Sequence, residues 1–250
     1  MISSLEIFVA CIVSFLVSIF STSVGGTSLI TVPLLISLGM SPKEAVATNM
    51  FALIFLSAGG AGGFWRMRKE ISLKLLFFFS ILTIAGSVIG AYFIISINKD
   101  VLKIVIATTV VLMSFSLFIK RRMGVESQEK GLTFEKITLT SLLVFALGAY
   151  GGFFSGGYVT VLTYILILIA NFNFLQAAFL TKTLNVFSSL SACVLFLLQN
   201  LIDFRVGWPM ALSVSLGAYS GAKIALSKGD VWIRNLFFVA IILLAIRLFF

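Results

Sequence analysis

Residues 21–33, STSVGGTSLITVP, lie inside an apolar run that extends from 5 to 38 and holds a single acidic residue, Glu6. As one helix, that run would be roughly 50 Å long at about 1.5 Å per residue, against a bilayer core of about 30 Å. The glycine pair Gly25-Gly26, flanked by Ser21, Thr22, Ser23, Thr27 and Ser28, lets the backbone leave the helix partway along. Non-helical backbone at membrane depth is tolerated only where it is buried in protein or lines a cavity. The run therefore reads as a broken helix or a re-entrant hairpin, and the rest of the chain fits around that reading.

Outward from this stretch, 60% of the 250 residues are hydrophobic and only 11% charged. Mean hydropathy is +1.16. Soluble domains carry roughly 25% charged residues and rarely expose large apolar patches, so a water-soluble enzyme is excluded. The apolar segments cover about 5–38, 44–65, 71–97, 101–119, 134–170, 174–199, 206–226 and 231–250, separated by short polar breaks. The fold class is all-α, a polytopic transmembrane helical bundle in the lipid bilayer.

Several chemistries drop out as well. Histidine is absent, and Cys11 and Cys193 both lie in apolar runs. That leaves no route to a zinc, haem or iron–sulfur cofactor, or to His-based acid–base catalysis. No Walker-type phosphate loop occurs, so ATP hydrolysis is not expected and no cofactor is implied. The net charge of +9 comes from basic residues at the ends of apolar runs, the pattern of cytoplasmic loops rather than of a nucleic-acid surface. No basic residue precedes the first apolar run, so it reads as a mature segment rather than a cleaved signal peptide.

The longest polar stretch, 120–133, cuts the chain near its middle, into an N-terminal repeat (1–119) and a C-terminal repeat (134–250). Gly25-Gly26 has a counterpart in Gly156-Gly157, 131 residues on. The pairs Gly86/Gly217, Gly90/Gly221 and Lys103/Arg234 share that offset of 131. Ser41-Pro42-Lys43-Glu44 is a capping box with proline at the first helical position, and Asn173–Gln176 matches it at an offset of 132. Matching Thr48 to Thr181 would need 133 instead, so one of these two matches is accidental. Internal symmetry of this kind marks a secondary-transporter scaffold.

If each glycine break turns the chain back, the halves are inverted and one face collects twelve basic residues against five on the other. With straight-through breaks the count is eleven against six, so positive charge leans toward inverted repeats and a cytoplasmic 120–133 loop. In transporters of this build, the N-termini of half-helices point at anionic substrate groups. Here the half-helices would begin at Thr27 and about Tyr158, after Gly25, Gly26, Gly156 and Gly157, with Ser28 and Ser155 as hydroxyl donors. Gly86, Gly90, Gly217 and Gly221 read instead as close helix packing.

Lys182 is the least expected residue, because it lies inside an apolar run with no acidic neighbour in sequence. An ionisable residue at such depth is a functional-site hypothesis, and a bound anion is its natural partner; snorkelling to the interface is the structural alternative. Thr48, Asn49, Thr181 and Asn185 sit at comparable depths and can hydrogen-bond an oxyanion or act as interhelical glue. The partners expected are thus a small anionic substrate and the bilayer. A coupling proton or sodium ion and an oligomer are left open.

The duplicated organisation, the stretch GGTSLITVPLL, and Ala47-Thr48-Asn49 after a short loop together resemble the sulfite exporter TauE/SafE family over essentially the whole chain. That resemblance implies a multi-pass permease of the plasma (inner) membrane that moves sulfite, sulfonates or related sulfur anions. The sequence departs from the pattern in the second half, where no proline near Thr163 matches Pro33 and Lys182 follows Thr181 where a small polar residue is usual. A passive anion channel and a non-transport membrane protein are the alternative readings.

Overall fold

Ser3, Ser41 and Asn173 open three helices by the same device. Each side chain accepts from the backbone N–H three residues on, while Glu6, Glu44 and Gln176 reach back to the cap. The computed structural model describes residues 2–119 and 133–228. Within them lie α1 (Ser4–Val24), α2 (Ser28–Ser37), α3 (Pro42–Gly63), α4 (Leu73–Ser96), α5 (Lys99–Ile119), α6 (Phe134–Phe153), α7 (Tyr158–Leu168), α8 (Phe174–Leu198) and α9 (Phe204–Lys228). A 3-10 turn, Trp65–Glu70, joins α3 to α4, and the described residues form no strand. Five of these helices (α1, α3, α4, α6 and α8) are long and apolar enough to cross a membrane. The expected final segment, 231–250, lies outside the described residues.

The long runs do break at their glycines. Gly25 and Gly26 both take φ of 88° and Gly157 takes 83°, left-handed values that side chains disfavour. The half-helices that follow have 10 and 11 residues, enough for about half a bilayer core. The contacts also show what the chain does after each break. Ile2 and Glu6, at the start of α1, line one recess of about 470 Å³ together with Leu38–Met40, just past α2. At the other end of the bundle, Lys136 near the start of α6 donates to Asn171, just past α7, at 3.4 Å. After each break the chain therefore turns back toward the end of the bundle at which α1 or α6 begins.

The same contacts sort the connections between two faces. Glu44 and Asn200–Asp203 join the recess at the α1/α2 face, and the Lys43 ammonium there donates to Ile95 O at the end of α4, 2.6 Å away. At the opposite face Gln176 donates to Glu70 at 2.9 Å, tying the start of α8 to the 3-10 turn. The basic residues Arg66, Arg68 and Lys69 sit in that same turn.

Glycine lets the helices approach closely, as expected for the small-residue pattern. A methyl group at Gly86 or Gly90 of α4 would fall onto the Phe145 and Ala149 carbonyls of α6, while Gly148 and Gly152 of α6 abut Thr83 and Ser87 of α4. Gly217 and Gly221 meet α1 at Phe15 and Ile19, and Gly59 and Gly63 meet α9 at Ser215 and Ala222. In a bilayer, where lipid tails are as apolar as leucine, such close backbone packing holds helices together. The outward faces carry Leu5, Phe8, Ile12 and Leu16 on α1, and Phe77, Ile81, Ile84 and Val88 on α4, all exposed, the apolar surface a bilayer would cover.

Candidate functional site

Two glycine tips meet in the middle of the bundle. A Cβ on Gly25 would lie 2.8 Å from Thr160 N and 3.1 Å from Val159 Cβ, in the first turn of α7. One on Gly156 would lie 2.8 Å from Leu29 Cδ2, in the first turn of α2. Each break is thus seated against the half-helix of the other hairpin. Across the first break, the Ser21 and Thr27 hydroxyls share a short hydrogen bond. Across the second, the Tyr150 hydroxyl donates to the Gly156 carbonyl. Helix α2 begins at Ser28, one residue later than the sequence suggested.

Helices α3 and α8 hold the half-helices in place. Asn49 uses both ends of its amide on α2: its Nδ2 donates to Ser28 Oγ at 2.9 Å, and its Oδ1 accepts from Thr31 Oγ1 at 2.6 Å. On the other side Thr163 of α7 donates to Thr181 of α8 at 3.3 Å. Thr31 to Thr163 and Asn49 to Thr181 are both 132 residues apart, the same offset as the two helix caps. The competing match, Thr48 with Thr181, is not carried by equivalent contacts. Thr48 faces away from the centre, where its hydroxyl accepts from Asp203 N at 3.0 Å in the α8–α9 connection.

Lys182 lies between α3, α8 and the end of α1. It is 1% exposed, and among the described residues it is the only charged side chain that is buried. Its stem packs on Gly60: a Cβ there would sit 3.3 Å from Lys182 Cδ and 3.4 Å from Thr22 Cγ2. The glycine makes room for the lysine, and the burial rules out snorkelling to the interface in this conformation. No buried carboxylate accompanies it among the described residues.

One helical turn further, Asn185 faces Ser57, to whose Oγ its Nδ2 donates at 2.7 Å. Its Oδ1 is buried and unpartnered. Lys182 and Asn185 are three apart on α8, and Gly60 and Ser57 are three apart on α3, so the two pairs face each other across one helix interface. Beyond them Ser87 of α4 donates to the Ser188 carbonyl at 2.7 Å.

The centre therefore gathers Gly25, Gly26, Thr27 and Ser28 with Ser155, Gly156 and Gly157 at the tips, and Asn49, Thr181, Lys182 and Asn185 on the supporting helices. Thr48 is not brought there. Sequence reasoning missed Ser57, Gly60, Thr31 and Thr163. Ser57 and Gly60 lie in an unbroken run of small residues, Ser57–Gly63, and that run was the available sign. The arrangement offers one cation, several hydroxyls and an amide in an otherwise apolar interior, which suits a small anion and no redox or hydrolytic chemistry.

The sequence profile of the family described as sulfite exporter TauE/SafE matches residues 10–248. A probable membrane transporter protein of Haemophilus influenzae is 30% identical over 89% of this chain and 86% of its own length. One from a Sinorhizobium species, designated ORF9, is 30% identical over 95% and 90%. The Escherichia coli K12 probable membrane transporter YfcA is 28% identical over 100% of this chain and 92% of its own. No solved structure matches.

Proposed function

Because the chain belongs to the sulfite exporter TauE/SafE family, we propose that this multi-pass membrane transporter carries sulfite, a sulfonate or a related sulfur oxyanion past Lys182 at the tips of two re-entrant hairpins. The observation that carries the reading is the buried Lys182, with no carboxylate beside it among the described residues. A charge left unpaired in an apolar interior is costly, and a transported anion supplies the missing partner.

Inverted halves belong to the same reading. The α1/α2 hairpin opens toward the face of Met40 and Asp203, and the α6/α7 hairpin toward the face of Asn171 and Glu70. Rocking one hairpin against the other would expose the centre to either face in turn. Lys182 is 1% exposed, so the conformation described is closed at that residue. Accumulation of substrate against a gradient separates a carrier from a passive anion channel.

The test is flux of sulfite, sulfonate and thiosulfate in proteoliposomes, wild type against Lys182→Ala. Loss of a charge-assisted hydrogen bond worth about 1.5–3 kcal/mol lowers uptake by about 10- to 160-fold. Lys182→Met, which keeps an apolar stem against Gly60 and removes only the charge, should lose the same flux while thermal stability holds. Undiminished flux in Lys182→Ala refutes the assignment of Lys182 to the substrate path.

A further inference from the structure

Two features of the centre bear on which anion it takes. The first is the charge count. Among the described residues Lys182 is the sole buried cation, and Asp and Glu are absent from the buried set. A monoanion beside it makes a neutral pair, whereas a dianion leaves one uncompensated negative charge in a low-dielectric interior, which is strongly disfavoured. The second is Asn185 Oδ1, a buried acceptor with no donor, one turn along α8 from Lys182. One of its two amide N–H donors goes to Ser57. A buried acceptor without a partner is costly, and the cost is relieved when a ligand brings a donor.

We propose that the site selects a singly charged oxyanion that also carries a hydrogen-bond donor, with Lys182 balancing the charge and Asn185 Oδ1 accepting from the donor. Hydrogensulfite, the protonated form of sulfite, has this chemistry, and an amino-substituted sulfonate has it as well. The inference rests on the anion-transport reading above and adds protonation state and substituent to it. Asn185 thereby sets specificity, while Lys182 sets charge.

Three tetrahedral anions of nearly equal size isolate the two terms. Methanesulfonate is a monoanion without a donor, sulfamate is a monoanion with N–H donors in place of the methyl group, and sulfate is a dianion. Binding to the purified full-length protein by calorimetry should run sulfamate, then methanesulfonate about tenfold weaker, then sulfate weaker by at least about tenfold again. In Asn185→Leu the gap between sulfamate and methanesulfonate should close while sulfate stays excluded.

Sulfate bound as well as the sulfonates, a wild-type protein that does not distinguish sulfamate from methanesulfonate, or no binding of any of the three overturns the proposal. If Asn185→Leu does not fold, the wild-type order alone still decides. The expected order without sulfite flux in proteoliposomes would refute the transport reading while leaving the selectivity intact. Sulfite flux with the wrong order would do the reverse.

Discussion

Replacing Asn49 with leucine should loosen one re-entrant hairpin and leave the other in place. The side chain makes two hydrogen bonds to α2, to Ser28 at 2.9 Å and from Thr31 at 2.6 Å. Thr31 keeps a second acceptor, the Thr27 carbonyl at 3.1 Å, so its loss is partial; among the described residues the Ser28 hydroxyl has no other partner. Interhelical side-chain bonds in membrane proteins average about 0.6 kcal/mol and reach about 1.7. Two of them, one partly compensated, are therefore worth about 1–2 kcal/mol, a factor of about 5–30 in the population of the undocked hairpin.

Hydrogen–deuterium exchange reads this directly, because the amides of Leu29, Ile30 and Thr31 bond to the Gly26 and Thr27 carbonyls at 3.0 Å in that first turn. These amides should exchange about 5- to 30-fold faster in Asn49→Leu, while those of α8 around Ser188 keep their wild-type rates. A double-mutant cycle with Thr31→Val should give a coupling of about 0.6–1.7 kcal/mol. Unchanged exchange in α2, equal acceleration in α8, or zero coupling would refute the view that Asn49 clamps the half-helix.

Two further outcomes follow from the packing and the topology. Gly90→Ala places a methyl group on the Ala149 carbonyl and 2.6 Å from Phe153 N, whereas Gly39→Ala, at φ +96°, meets nothing within 4 Å. The first should cost about 1–3 kcal/mol or more through separation of α4 and α6, the second only about 1–2 kcal/mol of backbone strain; melting temperatures in detergent rank them, and the reverse order counts against the packing. In a background with Cys11 and Cys193 replaced by alanine, Lys69→Cys and Arg205→Cys should react with an impermeant maleimide from opposite sides of the membrane; labelling from the same side refutes the two-face arrangement.

Much of this was legible in the sequence because it is local. A run too long for one span, with a glycine pair at its middle, has to break, since glycine alone adopts the left-handed backbone found at Gly25, Gly26 and Gly157 without penalty. The capping boxes at Ser41 and Asn173 are likewise written within four residues. An unpaired lysine in an apolar run is visible from its cost alone.

The pairings across helices were settled only by the tertiary structure. Helices α3 and α4 are apolar on every side, so no stripe in the sequence says which face turns inward. Adjacent residues then part company: Asn49 points at α2, and Thr48, one position earlier, points at Asp203. A rotation of about 100° per residue separates such neighbours, and packing of the whole bundle sets its zero. Whether Gly25 bent the chain back or let it through also depended on where Met40 came to rest beside Glu6. The sequence by itself determined where the backbone must leave the helix and where an unpaired charge sits. The fold decided that the two breaks meet, that Gly60 makes room for Lys182, and that Asn185 is left with one acceptor to fill, because these depend on which helix faces come together.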